Sequence, residues 1–426
     1  MKKKLCFLMS LCLVVTLLAA CGGSGSTSTP TGGDEEDLGP VLIGCIYPFS
    51  GSNALLGDES FRGAKLAVDE LNAAGGLWGR QIELVPADAP DITAGQTEAE
   101  RLITRENMEL IFGAYSSGLA NVISDTCARY EVPYFEFGAI GADIMTKGYP
   151  YLWRTCADAG RFGKGQAEYF TNTVLPILGV SKENAKIAMA HEDTLYGTSV
   201  AEAAWKTLLD LGYKEENLKD IPYAATSVDL SSVILTAKSF NPDGLFSVSY
   251  VNDAILLARQ AEELNFLPPF WIGAGGGTSM KPTLEAVGKG MYGLYGIDFP
   301  QYDINKDKIR GVDEFVQYYI DTFGDYPRSG HSMTNYAGMY ILYDILTASG
   351  SLDKDAIKDA AAKIEKPMNT YTGGYGVKFD ATGQNVNAPL AIGMWDLEKL
   401  NAVYPAEYQI MDPVIPMPTW EEKNAM

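Results

Sequence analysis

The sequence contains few of the residues that nucleic-acid binding and metal chemistry use. It has 33 Lys and Arg side chains against 54 Asp and Glu, so its formal net charge is −21. A chain this acidic repels phosphate backbones, which excludes nucleic-acid binding as its main function. It has only two His residues, and His191-Glu192 lacks the second His that a two-His zinc motif requires. We therefore expect neither a metal nor another cofactor.

Long apolar runs are also scarce, and the only one that approaches the length of a membrane span lies at the extreme N-terminus. This excludes a polytopic membrane protein. Lys2–Lys4, followed by the apolar stretch 5–18, has the layout of a secretory signal. The next residues, Leu-Ala-Ala-Cys at 18–21, resemble a bacterial lipobox, which implies cleavage before Cys21 and lipidation of that residue. The alternatives are a plain signal peptide and a membrane anchor.

The segment after this signal predicts a tether. Residues 22–37 carry no large apolar side chain, as is typical of a flexible linker. We therefore predict a lipoprotein signal peptide at 1–20 and a tether at 21–38.

Cysteine usage does not favour redox chemistry. Three of the six cysteines, Cys6, Cys12 and Cys21, belong to the predicted signal and lipidation site. The remaining three have no C-x-x-C spacing, and they permit either one disulfide with a free thiol or three buried thiols. We predict packing roles for these three, which are Cys45, Cys127 and Cys156.

Beyond the tether, short apolar runs alternate with amphipathic stretches. Four strands and three helices alternate over residues 41–137, and a similar pattern restarts at residue 186. This order predicts an α/β fold with two lobes, each a doubly wound parallel sheet. Individual expectations include the strands 41–47 and 291–297 and the helices 61–72, 93–106 (capped by Thr93) and 312–323.

In open parallel sheets, ligands bind beyond the carboxyl ends of the strands. The loops at these ends are small and polar, at 50–53, 116–118, 138–141 and 273–277. Ser116 and Ser117 open a predicted helix, where hydroxyl and backbone N–H groups can hold a carboxylate. The alternative is that Ser117 only caps this helix.

Enzyme motifs are missing from the body of the chain. It contains no G-x-x-x-x-G-K-[ST] phosphate loop and no G-x-S-x-G at a strand end, and the glycines at 273–277 lack the dinucleotide-binding spacing. We therefore do not expect an enzyme.

Several segments, in order and spacing over residues 41 to about 405, carry a family resemblance. They include IGCIYPFSGSNALLGDESFRGAKLAVDELNAAGG at 43–76, EDTLYGTSVAEAAWKTLLDLGY at 192–213 and YTGGYGVKFDATGQ at 371–384. They resemble the type I periplasmic solute-binding proteins of ABC transporters, in the branched-chain amino-acid (leucine/isoleucine/valine)-binding family. The resemblance implies a ligand cleft between lobe 1 (39–158 plus 295–370) and lobe 2 (159–294 plus 371–426).

The resemblance also implies site residues. The family's carboxylate-binding Ser corresponds to Ser117, with Ser116 beside it. A residue that contributes its backbone corresponds to Ala139, and two aromatic residues of the second lobe correspond to Tyr196 and Tyr250.

Three positions depart from the amino-acid-binding pattern. Leu56 replaces an aromatic residue, Ile140 replaces a Thr that helps to hold the α-amino group, and Gly275 replaces the acid opposite it. Because a buried ammonium group needs an anionic partner, these departures favour a small amide or carboxylate solute, with aromatic compounds among the options. Such a solute either lacks a free α-amino group or has that group held in a different way. Candidate substitutes for the missing acid are Glu192, Asp193 and Asp253.

The resemblance also brings the segment that contains His331 to the cleft. There His331 would either donate a hydrogen bond to the ligand or have a structural role. The lipobox-like N-terminus and the tether imply a lipid-anchored, extracytoplasmic protein, and the family resemblance implies its role. It would capture a small amino-acid-like, amide or carboxylate solute by cleft closure and deliver it to an ABC permease. The alternatives are a ligand-sensing module for a receptor and an exported α/β hydrolase.

Overall fold

Two open β-sheets organise residues 38–426, which are the residues described by this computed structural model. The first sheet contains β1 (Val41–Tyr47), β2 (Ile82–Asp88), β3 (Ile111–Gly113), β4 (Tyr134–Glu136) and β5 (Leu152–Arg154). All five strands are parallel, in the order β2-β1-β3-β4-β5. The apolar run that predicted β1 forms a strand with the expected bounds and is buried at six of its seven residues.

The second sheet has seven strands. They are β6 (Ile187–Glu192), β7 (Leu218–Tyr223), β8 (Gly244–Val248), β9 (Phe270–Ala274), β10 (Tyr295–Asp298), β13 (Ala391–Trp395) and β14 (Leu400–Tyr404), and a separate pair is formed by β11 (Glu365–Lys366) and β12 (Val377–Lys378). The order is β14-β13-β10-β9-β8-β6-β7. The strands from β6 to β10 are parallel, but β13 and β14 are antiparallel. The predicted two-lobed α/β fold is confirmed, with an antiparallel hairpin at one edge.

Helices cover the faces of both sheets. They are α1 (Ala54–Ala73), α2 (Ile92–Thr104), α3 (Ser117–Tyr130), α4 (Ala142–Thr146), α5 (Ala159–Tyr169), α6 (Leu175–Leu178), α7 (Leu195–Asp210), α8 (Ser231–Phe240), α9 (Val251–Glu263), α10 (Gly276–Ser279), α11 (Lys281–Val287), α12 (Val312–Phe323), α13 (Gly330–Ser349), α14 (Lys354–Ala361) and α15 (Trp420–Ala425). A π-helical turn, Phe170–Val174, joins α5 to α6. None of the helices within residues 38–426 is both long and apolar enough to cross a membrane.

The sheet topology places the crossings between lobes later than expected. β10 pairs with β9 in the second sheet, so the return to the first lobe follows residue 298 and not residue 295. There α13 packs so closely on α1 that a Cβ added at Gly63 would lie 1.8 Å from the Ser332 carbonyl oxygen. The C-terminal segment also changes lobe later than expected. Gln384 forms a β-bridge with Arg154 of β5 in the first sheet. The segment therefore joins the second sheet at β13 and not at residue 371.

Two helix starts also differ from expectation, because polar groups fix them. Asp91, not Thr93, caps α2 by accepting a hydrogen bond from the Ala94 N–H. The helix α1 begins at Ala54, seven residues before the predicted start at Phe61. Its first turns bury Glu59, whose carboxylate accepts hydrogen bonds from the Tyr319 hydroxyl and the Arg328 N–H. This polar contact with distant residues does not show in the apolar periodicity.

The three cysteines of the body, Cys45, Cys127 and Cys156, are free and fully buried. Burial raises the pKa of each thiol because the thiolate would lose its solvation. The predicted packing roles are therefore confirmed. The predicted signal peptide, Cys21 and tether residues 21–37 lie outside the described residues.

We predict that none of these three thiols reacts in the folded protein, because the thiolate is the reactive form and burial suppresses it. Alkylation with iodoacetamide followed by peptide mass spectrometry checks this. In denaturant without reductant, all three should be labelled. A disulfide-linked peptide in the unreduced sample would contradict the assignment.

Candidate functional site

The carboxyl ends of strands from both sheets meet at a narrow cleft. The atom-free space between its walls is small, about 290 Å3 including the part that is open to solvent. Both lobes contribute to its wall, which is lined by Tyr115, Ser117, Gly138, Ile140, Phe162, Tyr196, Tyr250, Gly275, Gly276, Asp298, Phe299 and His331.

A buried carboxylate, Glu136 at the end of β4, organises the first-lobe side of the cleft. One of its oxygens accepts hydrogen bonds from the Gly138 N–H at 2.8 Å and the Ala139 N–H at 2.6 Å. The other accepts from the Ala114 N–H at 2.8 Å and the Tyr134 hydroxyl at 2.5 Å. Burial raises the pKa of Glu136 to about 7, and these donors oppose the rise. One side chain thus holds the loops that follow β3 and β4.

Arg154 supports the second of these loops from the opposite direction. Its guanidinium group donates to the carbonyl oxygens of Gly141 at 2.8 Å and Ala139 at 3.3 Å, and its Nε donates to Gln384. The side chain is 2% exposed. Because both the N–H and the carbonyl of Ala139 are engaged, this residue supports the cleft without lining it.

The N-terminus of α3 faces the cleft. Ser117 is the first residue of this helix, and its Oγ accepts a hydrogen bond from the Gly141 N–H at 3.0 Å. Ser116 occupies the cap position, so the alternative of Ser117 as the cap does not hold. The Ser117 hydroxyl proton remains available to donate, together with the unpaired N–H groups of the first helical turn. This arrangement suits a ligand carboxylate.

In the second lobe, Glu192 at the end of β6 holds the loop that follows its strand, as Glu136 does in the first lobe. Its carboxylate accepts hydrogen bonds from the Thr194 N–H at 2.7 Å and the Gly197 N–H at 2.5 Å. These bonds fix the start of α7 and with it Tyr196. The Tyr196 hydroxyl donates to the Ala274 carbonyl oxygen at 2.5 Å.

Two features of the structure favour glycine at position 275. Its φ is +69°, which side chains rarely adopt. A Cβ at this position would also lie 2.3 Å from the Tyr196 hydroxyl. No side chain therefore fits at position 275 while the Tyr196 hydroxyl lies there. This is the position at which an amino-acid site is expected to carry an acid.

Half of the residues that line the cleft are aromatic. Tyr250 lies 5.1 Å from Tyr196 and 6.1 Å from Tyr115, measured between ring centroids. His331 packs edge-on between Tyr115 and Phe299, at 5.3 and 5.1 Å. Burial lowers the pKa of His331 to about 3, so its ring is neutral at physiological pH. A neutral ring can donate or accept one hydrogen bond without adding charge.

The cleft brings together six of the nine positions implied by the resemblance: Ser117, Ile140, Tyr196, Tyr250, Gly275 and His331. Leu56 lies beside it, where a Cβ added at Gly276 would be 2.7 Å from its side chain. Ser116 instead lines a separate outer pocket, together with Asn53, Val228 and Asp253.

Asp298 is the cleft residue of greatest chemical interest that the sequence interpretation missed. It is the last residue of β10 and is 1% exposed. Its Oδ1 accepts a hydrogen bond from the Phe299 N–H at 2.7 Å, whereas its Oδ2 makes no hydrogen bond among residues 38–426 and has beside it the Ser279 hydroxyl, which is also without a partner there and favours the ionised carboxylate. Burial raises its pKa to about 7. The sequence feature that could have identified Asp298 is its position directly after the apolar run 291–297.

None of the three proposed substitutes for an acid at position 275 lines the cleft. Glu192 is engaged at the start of α7. Asp193 accepts a hydrogen bond from the Ala225 N–H at 3.1 Å, and Asp253 lies in the outer pocket.

A family model for periplasmic binding proteins matches residues 40–400. The chain belongs to this family. A Leu/Ile/Val-binding protein homologue from Brucella abortus is 38% identical over 377 residues, covering 86% of this chain and 91% of the relative. Relatives and neighbours are solute-binding proteins and not enzymes, in agreement with the motif analysis.

Two solved structures show the same fold as this periplasmic binding protein. One is a branched-chain amino acid transporter substrate-binding protein from Streptococcus pneumoniae in complex with isoleucine (22% identity, TM-score 0.72, covering 86% of this chain and all of that one). The other is a solute-binding protein from Rhodopseudomonas palustris in complex with 3,4-dihydroxybenzoic acid (17% identity, TM-score 0.73, covering 90% and 99%).

We predict that Glu136→Gln lowers the free energy of unfolding by about 1–3 kcal/mol, because the amide NH2 would face N–H donors. Urea unfolding at pH 8 measures this, with Glu83→Gln on the exposed side of β2 as the matched control. Equal stability of the two variants would show that the carboxylate does not hold the loops.

Gly275→Ala should destabilise the protein more than Gly288→Ala, by roughly 1–3 kcal/mol, the usual cost of overpacking. Both glycines have a φ of +69°, but a Cβ at Gly288 would meet no atom within 4 Å. The comparison therefore separates the contact with Tyr196 from backbone strain. Adding Tyr196→Phe should recover part of the difference, and equal losses for the two alanine variants would refute the steric argument.

Proposed function

We propose that this periplasmic binding protein is the extracytoplasmic receptor of an ABC importer and captures a small organic solute that carries a carboxylate. The observation that carries the proposal is the pairing of two preformed half-sites across the cleft. The first lobe presents the N-terminus of α3 with Ser117, and the second presents Tyr196 and Tyr250.

The ligand carboxylate is held at the start of α3. There the Ser117 hydroxyl and the first backbone N–H groups donate, and the helix dipole favours negative charge. The remainder of the solute lies against the aromatic wall, where the tyrosines add apolar area and hydroxyl groups. Closure of the two lobes over the ligand is a hinge motion.

The comparisons support the carboxylate as the shared element. The related structures bind isoleucine in one case and 3,4-dihydroxybenzoic acid in the other, and these ligands have a carboxylate in common. The curated relative is named for leucine, isoleucine and valine. The amino-less solutes favoured by Gly275 and Ile140 remain within this class.

The receptor acts at the outer face of the cell membrane, held by lipidated Cys21 and the tether 21–38, and passes its solute to a permease. This part rests on the N-terminal sequence. Acylation attaches the body firmly only if Cys21 carries more than one acyl chain, because a single chain binds membranes weakly.

The test is a thermal-shift panel on purified full-length protein, refolded to remove carried-over ligand. It includes the α-amino acids, their amino-less counterparts and benzoates, each at millimolar concentration, since binding to the native state raises the melting temperature. We expect at least one acid to stabilise the protein. A panel in which no acid does so would refute the proposal.

Ser117→Ala should weaken binding of the stabilising acid roughly ten- to a hundredfold, because it removes a hydrogen bond to a charged group. Ser116→Ala is the matched control: its hydroxyl makes no capping bond and lies in the outer pocket. Isothermal titration calorimetry gives both affinities. If Ser116→Ala has the larger effect, the carboxylate is not bound where we place it.

A further inference from the structure

Two carboxylates within residues 38–426 are buried while one of their oxygens has no hydrogen-bond partner. They are Asp298, which lines the cleft, and Asp253, which lies in the outer pocket. An unpaired carboxylate buried in a protein is costly, because it loses its hydration without gaining a counter-charge. A group of this kind at a binding site indicates a partner supplied by the ligand.

The fold places Asp298 opposite the carboxylate subsite. It ends β10, which lies between β9 and β13 in the interior of the second sheet. Tyr115 and Tyr196 line the same cleft as Asp298, and its negative charge helps to raise the pKa values of their hydroxyls. Ser117, on the other lobe, lines the same cleft. The carboxyl group of Asp298 and the N-terminus of α3, which suits a ligand carboxylate, therefore line the same cleft.

We propose that Asp298 is the specificity-determining residue of this receptor: it pairs with a protonated amine of the ligand and so selects solutes that carry both an ammonium group and a carboxylate. The inference rests on the proposed function and names its substrate class. Of the two expectations drawn from Gly275 and Ile140, it favours an α-amino group held in a different way, because the acid that is missing after β9 is supplied after β10.

The pairing makes binding depend on pH. In the ligand-free protein, burial raises the pKa of Asp298 to about 7, so at pH 5.5 the group is mostly protonated and cannot pair with an ammonium group. Affinity for an amino acid should therefore rise between pH 5.5 and 8 and then level off. For an amino-less acid, the carboxylate of Asp298 repels the ligand, so affinity should fall over the same range.

Other titratable groups near Asp298 do not produce this dependence. Burial raises the pKa values of Tyr115, Tyr196 and Tyr375, and it lowers that of His331 to about 3. None of these groups titrates between pH 5.5 and 8. Two carboxylates do: Asp253, whose pKa burial raises to about 6, and Glu136, whose pKa burial raises to about 7. Glu136 holds cleft loops and does not face the amine, so its titration changes the affinity for an amino acid and for its amino-less counterpart in the same direction, whereas Asp298 changes them in opposite directions. Asp253→Asn is the control for the outer pocket.

The experiment compares wild type, Asp298→Asn and Asp253→Asn as purified full-length proteins by calorimetry between pH 5.5 and 8. The probes are the α-amino acids with their amino-less counterparts, for example leucine with 4-methylpentanoate and phenylalanine with 3-phenylpropanoate. We expect wild type to bind an amino acid and not its counterpart. Asp298→Asn should weaken that binding on the order of 100-fold and abolish the opposite pH dependence of the amino acid and its counterpart, whereas Asp253→Asn should preserve both.

A second measurement needs no ligand. Because Asn removes an unpaired buried charge, Asp298→Asn should melt at the same or a higher temperature than wild type at pH 8. A marked drop in melting temperature would indicate a structural role and count against the inference.

The outcomes separate this inference from the proposed function. If wild type binds an amino-less acid as tightly as its amino acid, or if Asp298→Asn binds unchanged, the role of Asp298 is wrong while the receptor function stands. If wild type binds no member of either set, the receptor function for small acids is wrong, and the role of Asp298 falls with it.

Discussion

A buried glutamate at the end of one strand in each lobe is the interaction on which the rest of the site depends. Glu136 ends β4 and Glu192 ends β6, and each carboxylate accepts backbone N–H groups from the loop that follows its strand. Where a sheet ends, these N–H groups lose their ladder partners and would be buried without a bond. The glutamates supply the missing acceptors, so the loops are ordered without continuing the sheet.

This ordering sets the positions of the ligand-facing groups. In the first lobe it fixes the loop 138–141, whose Gly141 N–H in turn holds the Ser117 side chain. In the second lobe it fixes the start of α7 and places Tyr196 over Gly275. Both half-sites are thus formed before the ligand arrives, and preorganised groups lose less entropy on binding.

The electrostatics of the cleft differ between its two sides. The first lobe offers donors at a helix N-terminus, and the second offers the unpaired oxygen of Asp298. Between them, His331 is neutral because burial lowers its pKa, and the tyrosine hydroxyls are neutral because burial raises theirs. The cleft therefore contains a single side-chain charge, within the part of the chain that the structure describes, against which a ligand charge can be matched.

Local pattern was enough to predict the two-lobed α/β fold, and for β1 and α12 it also predicted the bounds, because burial of one face leaves a periodic apolar signature. The family resemblance placed Ser117, Tyr196 and Tyr250 at the cleft. Neither source identified the roles that Asp298, Glu136 and Glu192 have in the structure. Neither source assigned β10 to the second sheet. Whether an acid caps a loop, faces solvent or lies unpaired in a cleft depends on which distant backbone and side-chain groups surround it. Only the tertiary structure brings those groups together.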